Sequence, residues 1–206
     1  GVDSYAQLTI APPSIFWSAV GVLGTAGATK NGGVWQCALT GCGDTPTQLS
    51  KTENVNGAVT DGASIYYAAT STTVSGVFTC PLAGCGTTPT QVMGGATGAF
   101  QLAHDSDAIY WTALDGVHRF VKSSSITSPI ITTDKAPFAI VVDTNSVYYT
   151  SIVGDYVQSC PLSGCSGPPR VYASALTQPS FLAQDAAALY FSSGSVSSGT
   201  ISRVSK

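Results

Sequence analysis

Short apolar segments separated by glycine, serine, threonine and proline run along the chain, and none has the period of an amphipathic helix. The clearest segment is an aliphatic residue followed by two aromatic residues, which recurs at intervals of about 40 residues. Its five copies are Ile15-Phe16-Trp17, Ile65-Tyr66-Tyr67, Ile109-Tyr110-Trp111, Val147-Tyr148-Tyr149 and Leu189-Tyr190-Phe191. This pattern predicts β-strands arranged in a repeated unit.

Further columns of similar residues align with these aromatic pairs. Four copies have an aspartate at a fixed distance before the pair, and a short apolar strand precedes it: Asp61, Asp105, Asp143 and Asp185. A branched aliphatic residue follows each pair: Val34, Val77, Val117, Val157 and Ile201. One more apolar segment closes every unit except the last. Each unit is therefore predicted to have four short strands that are apolar on both faces, as in a sheet covered by two neighbours.

Four-stranded units of about 40 residues that are covered on both faces are typical of β-propeller blades. We predict an all-β fold in which residues 1–206 form a single β-propeller domain of five blades. The last blade is expected to have three strands or to be completed by the N-terminus. A sixth blade contributed by sequence outside this chain is a further alternative. The approximate repeat units are 6–52, 57–95, 99–134, 137–174 and 179–206, with a Gly/Ala-rich insertion from Ser18 to Gly33.

The charge content narrows the classes of partner. Only 9% of the residues are charged and the net charge is −3, so no basic surface for nucleic acid is expected. The chain lacks a run of about 18 apolar residues, which argues against insertion into a membrane.

All six cysteines occur in pairs within one six-residue phrase, Cys-Pro-Leu-x-Gly-Cys or Cys-Ala-Leu-Thr-Gly-Cys. Proline and glycine are typical of a tight turn, and a hairpin with a four-residue loop brings its flanking residues within disulfide reach. Zinc sites need four ligands at one point and redox pairs use Cys-x-x-Cys, so both alternatives fit less well. We predict three structural disulfides, each stabilising by about 2 kcal/mol: Cys37–Cys42, Cys80–Cys85 and Cys160–Cys165. Such pairs favour a secreted, cell-surface or periplasmic protein.

The repeated aspartates Asp61, Asp105, Asp143 and Asp185 allow two interpretations. Each could accept backbone N–H bonds in the turn between the first two strands of its unit. Alternatively, the four carboxylates could form a ring that binds Ca²⁺ or another cation. Their recurrence with the repeat favours the structural turn, and no metal ion or cofactor is predicted.

The third unit differs from the others because it lacks cysteines and is the shortest. It carries Trp111, His118, Arg119 and Lys122, which concentrate aromatic and basic side chains in a weakly charged chain. These residues could contact a partner with an anionic group, but the favoured interpretation is a solvated hairpin. No catalytic site is predicted, because the chain has two histidines, a single glutamate and no recognisable nucleophile or metal motif.

Two stretches, Pro137–Tyr149 and Tyr110-Trp111-Thr112, resemble the repeats of YWTD- and NHL-type β-propellers. This resemblance implies the propeller fold and an extracellular protein-binding role. The cysteine phrase resembles the cysteine-containing propeller repeats of secreted bacterial proteins.

The chain is therefore expected to be a non-catalytic extracellular recognition module that binds a protein or a glycan. One alternative is a carbohydrate-binding lectin with several blade-related sites, and another is an enzyme with a site at the mouth of the central channel. The core columns repeat while the loops vary, which favours one specific site over several equivalent ones.

Overall fold

A computed structural model describes residues 5–21, 32–70, 75–94, 98–132, 136–195 and 197–206. Within these ranges the chain forms five antiparallel sheets that follow one another in sequence. Four sheets have four strands and the last has three, which confirms the prediction of five all-β repeat units. None of the described segments is a helix long and apolar enough to cross a membrane. The chain divides into two compact units, Gly1–Leu102 and Ala103–Lys206.

The first unit contains two sheets in which consecutive strands are neighbours. The first sheet comprises β1 (Tyr5–Ala11), β2 (Ser14–Ala19), β3 (Gly33–Ala38) and β4 (Thr47–Ser50). The second sheet comprises β5 (Val55–Thr60), β6 (Ser64–Thr70), β7 (Ser75–Pro81) and β8 (Thr90–Gly94). The aromatic pairs lie on the second strand of each sheet. Most of the predicted insertion between Ser18 and Gly33 lies outside the described residues.

The second unit contains the other three sheets, and the first strand of the third sheet begins at the last residue of the first unit. The third sheet comprises β9 (Leu102–His104), β10 (Ala108–Ala113), β11 (Gly116–Val121) and β12 (Ile126–Ile131). The fourth comprises β13 (Pro137–Val142), β14 (Ser146–Ser151), β15 (Tyr156–Pro161) and β16 (Arg170–Ala173). The fifth comprises β17 (Leu182–Gln184), β18 (Ala188–Ser195) and β19 (Ser198–Ser205). Residues 1–4, which were predicted as one means of completing this sheet, lie outside the described residues.

In the first unit, each sheet buries one face against the other. We call the face that meets the next sheet in the chain the trailing face, and the face that meets the preceding sheet the leading face. The shared core comprises Phe16, Val34 and Leu49 on the trailing face of the first sheet and Ile65, Tyr67 and Phe78 on the leading face of the second. Tyr67 is fully buried, and its hydroxyl forms a 2.9 Å hydrogen bond with the Ser50 hydroxyl. The hydroxyl group of this buried ring therefore has a hydrogen-bond partner.

The second unit repeats this arrangement twice. One core comprises Tyr110, Val117 and Ile130 on the trailing face of the third sheet and Val147, Tyr149 and Cys160 on the leading face of the fourth. The other comprises Tyr148 and Val157 on the trailing face of the fourth sheet and Leu189 and Phe191 on the leading face of the fifth. The columns read from the sequence are therefore the residues that pack sheet against sheet.

The three predicted disulfides are present, with Cα atoms 5.2 to 5.5 Å apart, but their setting differs from the predicted hairpin. Cys80 lies near the end of β7, whereas Cys85 lies in the connection to β8 and has no strand partner opposite Cys80. The turn is closed by the Gly84 N–H, which donates to the Pro81 carbonyl at 2.8 Å, and Gly84 has φ +95°. Pro81 is thus the last residue of a strand rather than a central turn residue.

We call these three loops (residues 37–43, 80–86 and 160–166) the clip loops, and two of them also bind a neighbouring sheet. The N–H groups of Cys85 and Gly86 donate to the Leu49 carbonyl at 2.9 and 3.2 Å, and the Lys51 N–H donates to the Gly86 carbonyl at 2.8 Å. In the second unit, the Cys165 N–H donates to the Ile130 carbonyl at 3.4 Å. The second and third clip loops therefore fasten a sheet to the outer strand of the sheet before it.

Removal of the second clip by Cys80→Ser with Cys85→Ser should lower the free energy of unfolding by about 2 kcal/mol, because the unfolded chain gains loop entropy. The same change should also accelerate hydrogen exchange at the Lys51 and Gly86 amides, which the clip loop holds. Urea unfolding and amide exchange measure the two effects. The matched control is Cys37→Ser with Cys42→Ser, which removes a disulfide that closes a loop of the same length. This control variant should leave both amides protected. Equal exchange in the two variants would contradict a docking role for the second clip loop.

Candidate functional site

A cleft of about 460 Å³ opens on the fourth sheet, within the second unit. Strands β14, β15 and β16 supply most of its wall, and the third clip loop and the segment after it supply the rim. The lining includes Tyr148, Ser159, Pro161, Cys165, Pro168, Arg170, Tyr172 and Lys206. We call it the tyrosine–arginine cleft.

Strand register places the polar wall of this cleft in one row on the trailing face of the fourth sheet. Tyr148 pairs with Ser159, and Ser159 pairs with Arg170. Tyr172 lies two residues after Arg170 on β16, and residues two apart on a strand point to the same face. The regular β-structure therefore brings two tyrosines and an arginine together from strands that are distant in sequence.

The two tyrosine rings hold two cations at this cleft. Tyr148 and Tyr172 meet edge to face, with ring centroids 5.7 Å apart. The Arg170 guanidinium carbon lies 4.6 Å from the Tyr172 ring centroid, and the Lys206 Nζ lies 5.0 Å from that of Tyr148. Both distances are within the range of cation–π attraction.

The charges of these two cations are compensated differently. Lys206 Nζ lies 3.1 Å from Asp143 Oδ2, which also accepts the Tyr148 hydroxyl at 2.9 Å. Arg170 is exposed, and no carboxylate in the described ranges pairs with it. Among the described residues, the cleft therefore has one positive charge without a carboxylate partner, on an arginine whose guanidinium carbon lies over an aromatic ring.

The Asp143–Tyr148 pair is fixed in one protonation state over a wide pH range. Burial raises the pKa of Tyr148, and its hydrogen bond to Asp143 raises that pKa further, so the phenol stays a neutral donor. Burial acts to raise the pKa of Asp143, but bonds from the Asn145 backbone, Lys206 and Tyr148 outweigh it and lower that pKa. Asp143 is therefore an ionised acceptor at neutral pH.

A second cleft of about 370 Å³ lies on the other side of the segment that follows the third clip. Its walls are the outer strand of the third sheet and a proline-rich loop: Pro129, Ile130, Ile131, Thr132, Cys165, Ser166, Gly167, Pro168 and Pro169. None of the described residues that line it is charged, so these residues offer shape and mainly apolar contact. Residues 165–168 are shared by both clefts and form the ridge between them.

The repeated aspartates close the turn between the first two strands of their sheets. Asp105 Oδ1 accepts the N–H groups of Asp107 and Ala108 at 2.8 and 2.7 Å. Asp61, Asp143 and Asp185 make the equivalent pair of bonds at 2.7 to 3.1 Å. Among the residues that the structure describes, no three histidine, cysteine or acidic side chains lie close enough to hold a metal ion. The geometry is that of a backbone turn.

The aromatic member of the cluster predicted in the third unit lies in the core. Trp111 is fully buried, and His118 stacks on it with ring centroids 5.5 Å apart and planes 14° from parallel. His118 Nε2 lies 2.9 Å from Asp115 Oδ1. The Trp111 ring is thus covered in this structure, and a contact role for the cluster would depend on its basic residues.

Those basic residues point to separate backbone partners. Arg119 Nη1 donates to the Leu162 carbonyl in the third clip loop at 2.8 Å, and Lys122 Nζ donates to the Asp105 carbonyl at 3.3 Å. Arg119 therefore joins the third sheet to the fourth. The four predicted residues are not gathered into one exposed charged surface, and their role in partner binding stays a prediction.

Sequence reasoning missed Arg170, Tyr172 and Lys206. A signal for two of them was present, since Arg170 and Tyr172 alternate on a strand directly after Pro168-Pro169. Lys206 carried no such signal, because its contacts with Tyr148 and Asp143 depend on the fold.

No protein-family profile matches the sequence, and no curated protein sequence matches it. Similar solved structures are found at low sequence identity. A chain in the crystal structure of a nidogen/laminin complex has a TM-score of 0.78 and 12% identity, over 97% of this chain and 75% of that chain. A putative TolB from Agrobacterium tumefaciens has a TM-score of 0.71 and 12% identity, over 98% and 76%. A catalytically inactive virginiamycin B lyase from Staphylococcus aureus with quinupristin has a TM-score of 0.63 and 12% identity, over 98% and 84%.

These likenesses show the fold. The chain is an all-β propeller of five blades, as predicted. In the described residues four blades have four strands and the last has three, and completion of the last blade by the N-terminus stays a prediction. The resemblance to propeller repeats is confirmed, whereas the similarity of the cysteine phrase to secreted bacterial repeats stays a prediction. The similar structures include a protein from a complex and an enzyme, so the fold by itself does not define the activity.

Proposed function

We propose that this chain is a non-catalytic recognition module that binds an acidic segment of a protein partner in the tyrosine–arginine cleft. The observation that carries the proposal is Arg170, an exposed guanidinium that rests on Tyr172 and has no carboxylate partner among the described residues. The other cation of the cleft, Lys206, is already paired with Asp143.

The chemistry of the cleft fits a carboxylate-bearing peptide. A planar guanidinium binds a carboxylate through two parallel hydrogen bonds, and stacking on Tyr172 holds it in place before the ligand arrives. Tyrosine and arginine are enriched at the energetically important positions of protein interfaces. Pro161 and Pro168 add rigid apolar contact beside them.

The setting proposed for this binding is extracellular, cell-surface or periplasmic. Three disulfides among so few charged residues favour an oxidising compartment. Support for a protein partner comes from the similar chain that belongs to a nidogen/laminin complex. A glycan ligand, as in the lectin alternative, and an enzyme, as in the virginiamycin B lyase, are the competing functions.

A peptide array tests the proposal directly. Peptides of equal length with an increasing number of Asp and Glu residues serve as probes, and fluorescence polarisation measures the affinity of the best binders. The wild-type protein should bind better as the acidic content rises, and binding should weaken with salt. Arg170→Ala should lower the affinity about tenfold, as expected for loss of a hydrogen bond to a charged group, and Arg170→Lys should recover only part of it.

Arg203→Ala is the matched control, because Arg203 also lies over a tyrosine ring, 6.0 Å from the Tyr190 centroid, but outside the cleft. It should bind like the wild type. Equal affinities for wild type and Arg170→Ala would refute the site. Saturation of a neutral glycan at several sites per chain would establish the lectin instead, and turnover of streptogramin B would establish the enzyme.

A further inference from the structure

The third clip loop is joined to its neighbouring sheet by fewer hydrogen bonds than the second. In the second clip loop, the Gly86 N–H donates to the Leu49 carbonyl at 3.2 Å, and the Gly86 carbonyl accepts the Lys51 N–H at 2.8 Å. Gly86 also forms a parallel bridge with Ser50. Gly86 is therefore bonded to the preceding sheet through both its N–H and its carbonyl.

The third clip loop lacks this pair of bonds. Strand register leaves Leu49 in β4 and Ile130 in β12 outside the pairing with the adjacent strand, so the two residues are equivalent. The Cys165 N–H donates to the Ile130 carbonyl at 3.4 Å, as its counterpart does to Leu49. The next equivalent positions are Ser166 and Thr132. Among the described residues, no hydrogen bond joins Ser166 to Ile130 or to Thr132, and the second cleft lies at this point.

A change of residue in the loop accounts for the missing bonds. Gly43 and Gly86 follow the second cysteine of the first two clip loops, and both have φ +57°. The third clip loop has Ser166 at this position, and its φ lies outside the positive range. Glycine adopts a positive φ at little cost, whereas a residue with a side chain rarely does. The open groove is therefore a property of the third clip loop itself.

The second cleft offers backbone groups as well as apolar walls. In the described part of the chain, the N–H groups of Thr132 and Ser166 and the Ser166 carbonyl lack the bonds that their counterparts in the first unit make. Both residues are exposed and line the cleft. Pro129 on the β12 side and Pro169 on the loop side add apolar surface. An extended peptide carries a donor and an acceptor on every residue except proline, so it can bond to both sides of such a groove.

The second cleft adjoins the tyrosine–arginine cleft. Pro168 lines both clefts, whereas Pro169 lines the second cleft and Arg170 lines the tyrosine–arginine cleft. Consecutive Cα atoms are about 3.8 Å apart, so the wall passes from one cleft to the other within one residue. Arg170 has no carboxylate partner among the described residues, and none of those that line the second cleft is charged. A carboxylate is therefore favoured beside Arg170, and uncharged residues are favoured in the second cleft, where a buried charge would have no counter-ion.

We infer that the peptide bound in the tyrosine–arginine cleft continues across the ridge of residues 165–168 and lies as a short uncharged strand in the second cleft. This inference rests on the proposed function and specifies its partner. The partner segment has acidic residues next to an apolar stretch without proline. Main-chain bonds to an added strand supply affinity, and the side chains that enter neighbouring pockets supply specificity.

Fluorescence polarisation with labelled synthetic peptides tests the inference on the full chain. The acidic probe is Asp-Glu-Asp extended by glycine and serine, and a bipartite probe of equal length ends in Val-Ile-Val. The linker between the two halves is varied from about one to about four residues, because an extended chain spans about 3.3 Å per residue. Both orders of the halves are used. At the best linker length and order, the bipartite probe should bind about tenfold more tightly than the acidic probe. Methylation of the backbone nitrogens of Val-Ile-Val should remove most of this gain, because the methylated peptide lacks the N–H donors.

Thr132→Trp separates the contributions of the two clefts. Thr132 is exposed and lines the second cleft but not the tyrosine–arginine cleft. An indole at this position should fill the groove and remove the gain of the bipartite probe, while the acidic probe binds as before and so shows that the variant is folded. Ser124→Trp is the matched control, since Ser124 is exposed between β11 and β12 and lines neither cleft. It should bind both probes like the wild type.

Hydrogen exchange gives an independent measurement on the wild-type protein. The bipartite probe should slow exchange of the Thr132 and Ser166 amides, because these groups then bond to the added strand. The acidic probe should leave their exchange unchanged.

Equal affinities for the two probes at every linker length and in both orders would overturn the inference and leave the proposed function intact. A gain that survives Thr132→Trp or backbone methylation would also overturn it, because the apolar half would then bind elsewhere or without main-chain bonds. If Arg170→Ala left the affinity of both probes unchanged, the proposed function would fail, and the inference with it.

Discussion

Replacement of Gly116 by alanine is expected to lower the free energy of unfolding by about 3 kcal/mol or more. Gly116 has φ +141°, a conformation that L-residues with a side chain rarely adopt. A Cβ atom at this position would lie well inside van der Waals contact with the Ile131 carbonyl oxygen of the paired strand. The clash involves backbone rather than a flexible side chain, so β11 and β12 would have to separate. Urea unfolding followed by far-UV circular dichroism measures the effect.

Gly167→Ala is the control for this experiment. Gly167 has no atom within 4 Å of a built Cβ, and its φ lies outside the positive range. Its replacement should change the free energy of unfolding by less than about 0.5 kcal/mol. Similar values for the two variants would contradict the backbone argument. The same argument extends to Gly33, the first residue of β3, and Gly76, the second residue of β7, which have φ +140° and +147°.

Trp111→Ala should lower the free energy of unfolding by about 3–5 kcal/mol, the range for deletion of a large buried ring. Trp111 is among the largest fully buried side chains, and its removal would leave a cavity beside His118. Circular dichroism rather than fluorescence should follow the unfolding, because the variant lacks one of three tryptophans.

Trp111→Phe separates two contributions of Trp111 to stability, the packing of its ring and any hydrogen bond of its indole nitrogen. The Trp111 indole nitrogen has no hydrogen-bond partner among the described residues, so phenylalanine loses volume but no bond. Its cost should be about 1–2 kcal/mol. If Trp111→Ala kept full stability and lost peptide binding, Trp111 would be a contact residue, as the sequence suggested, and the core assignment would be wrong.

The sheets could be predicted from the sequence because their signals are local and repeated. An aliphatic residue followed by two aromatic residues marks each second strand, and the aspartate before it marks the preceding turn. Each column recurs, so a unit that departs from one column can still be recognised from the others. The first unit is an example, because it has Ala11 where the other units have the aspartate. The four-strand count of the first four units followed from the same columns, whereas the columns left the completion of the last unit open.

Contacts between sheets could not be predicted in this way. Cys85 bonds to Leu49 and Arg119 bonds to Leu162, and nothing in the local sequence of either residue specifies the other. The tyrosine–arginine cleft likewise depends on the register of three strands and on Lys206.

The clip loops have a consequence for the order of folding. The second and third clip loops dock on a strand that comes earlier in the chain, at Leu49 and Ile130. During synthesis from the N-terminus, that docking strand is available before the second cysteine of the pair emerges. The cysteine pairs can therefore be oxidised one repeat at a time. The preceding sheet is then already folded and can bind the second or third clip loop as its disulfide forms. A chain that folds in this way has little opportunity to join cysteines from different repeats.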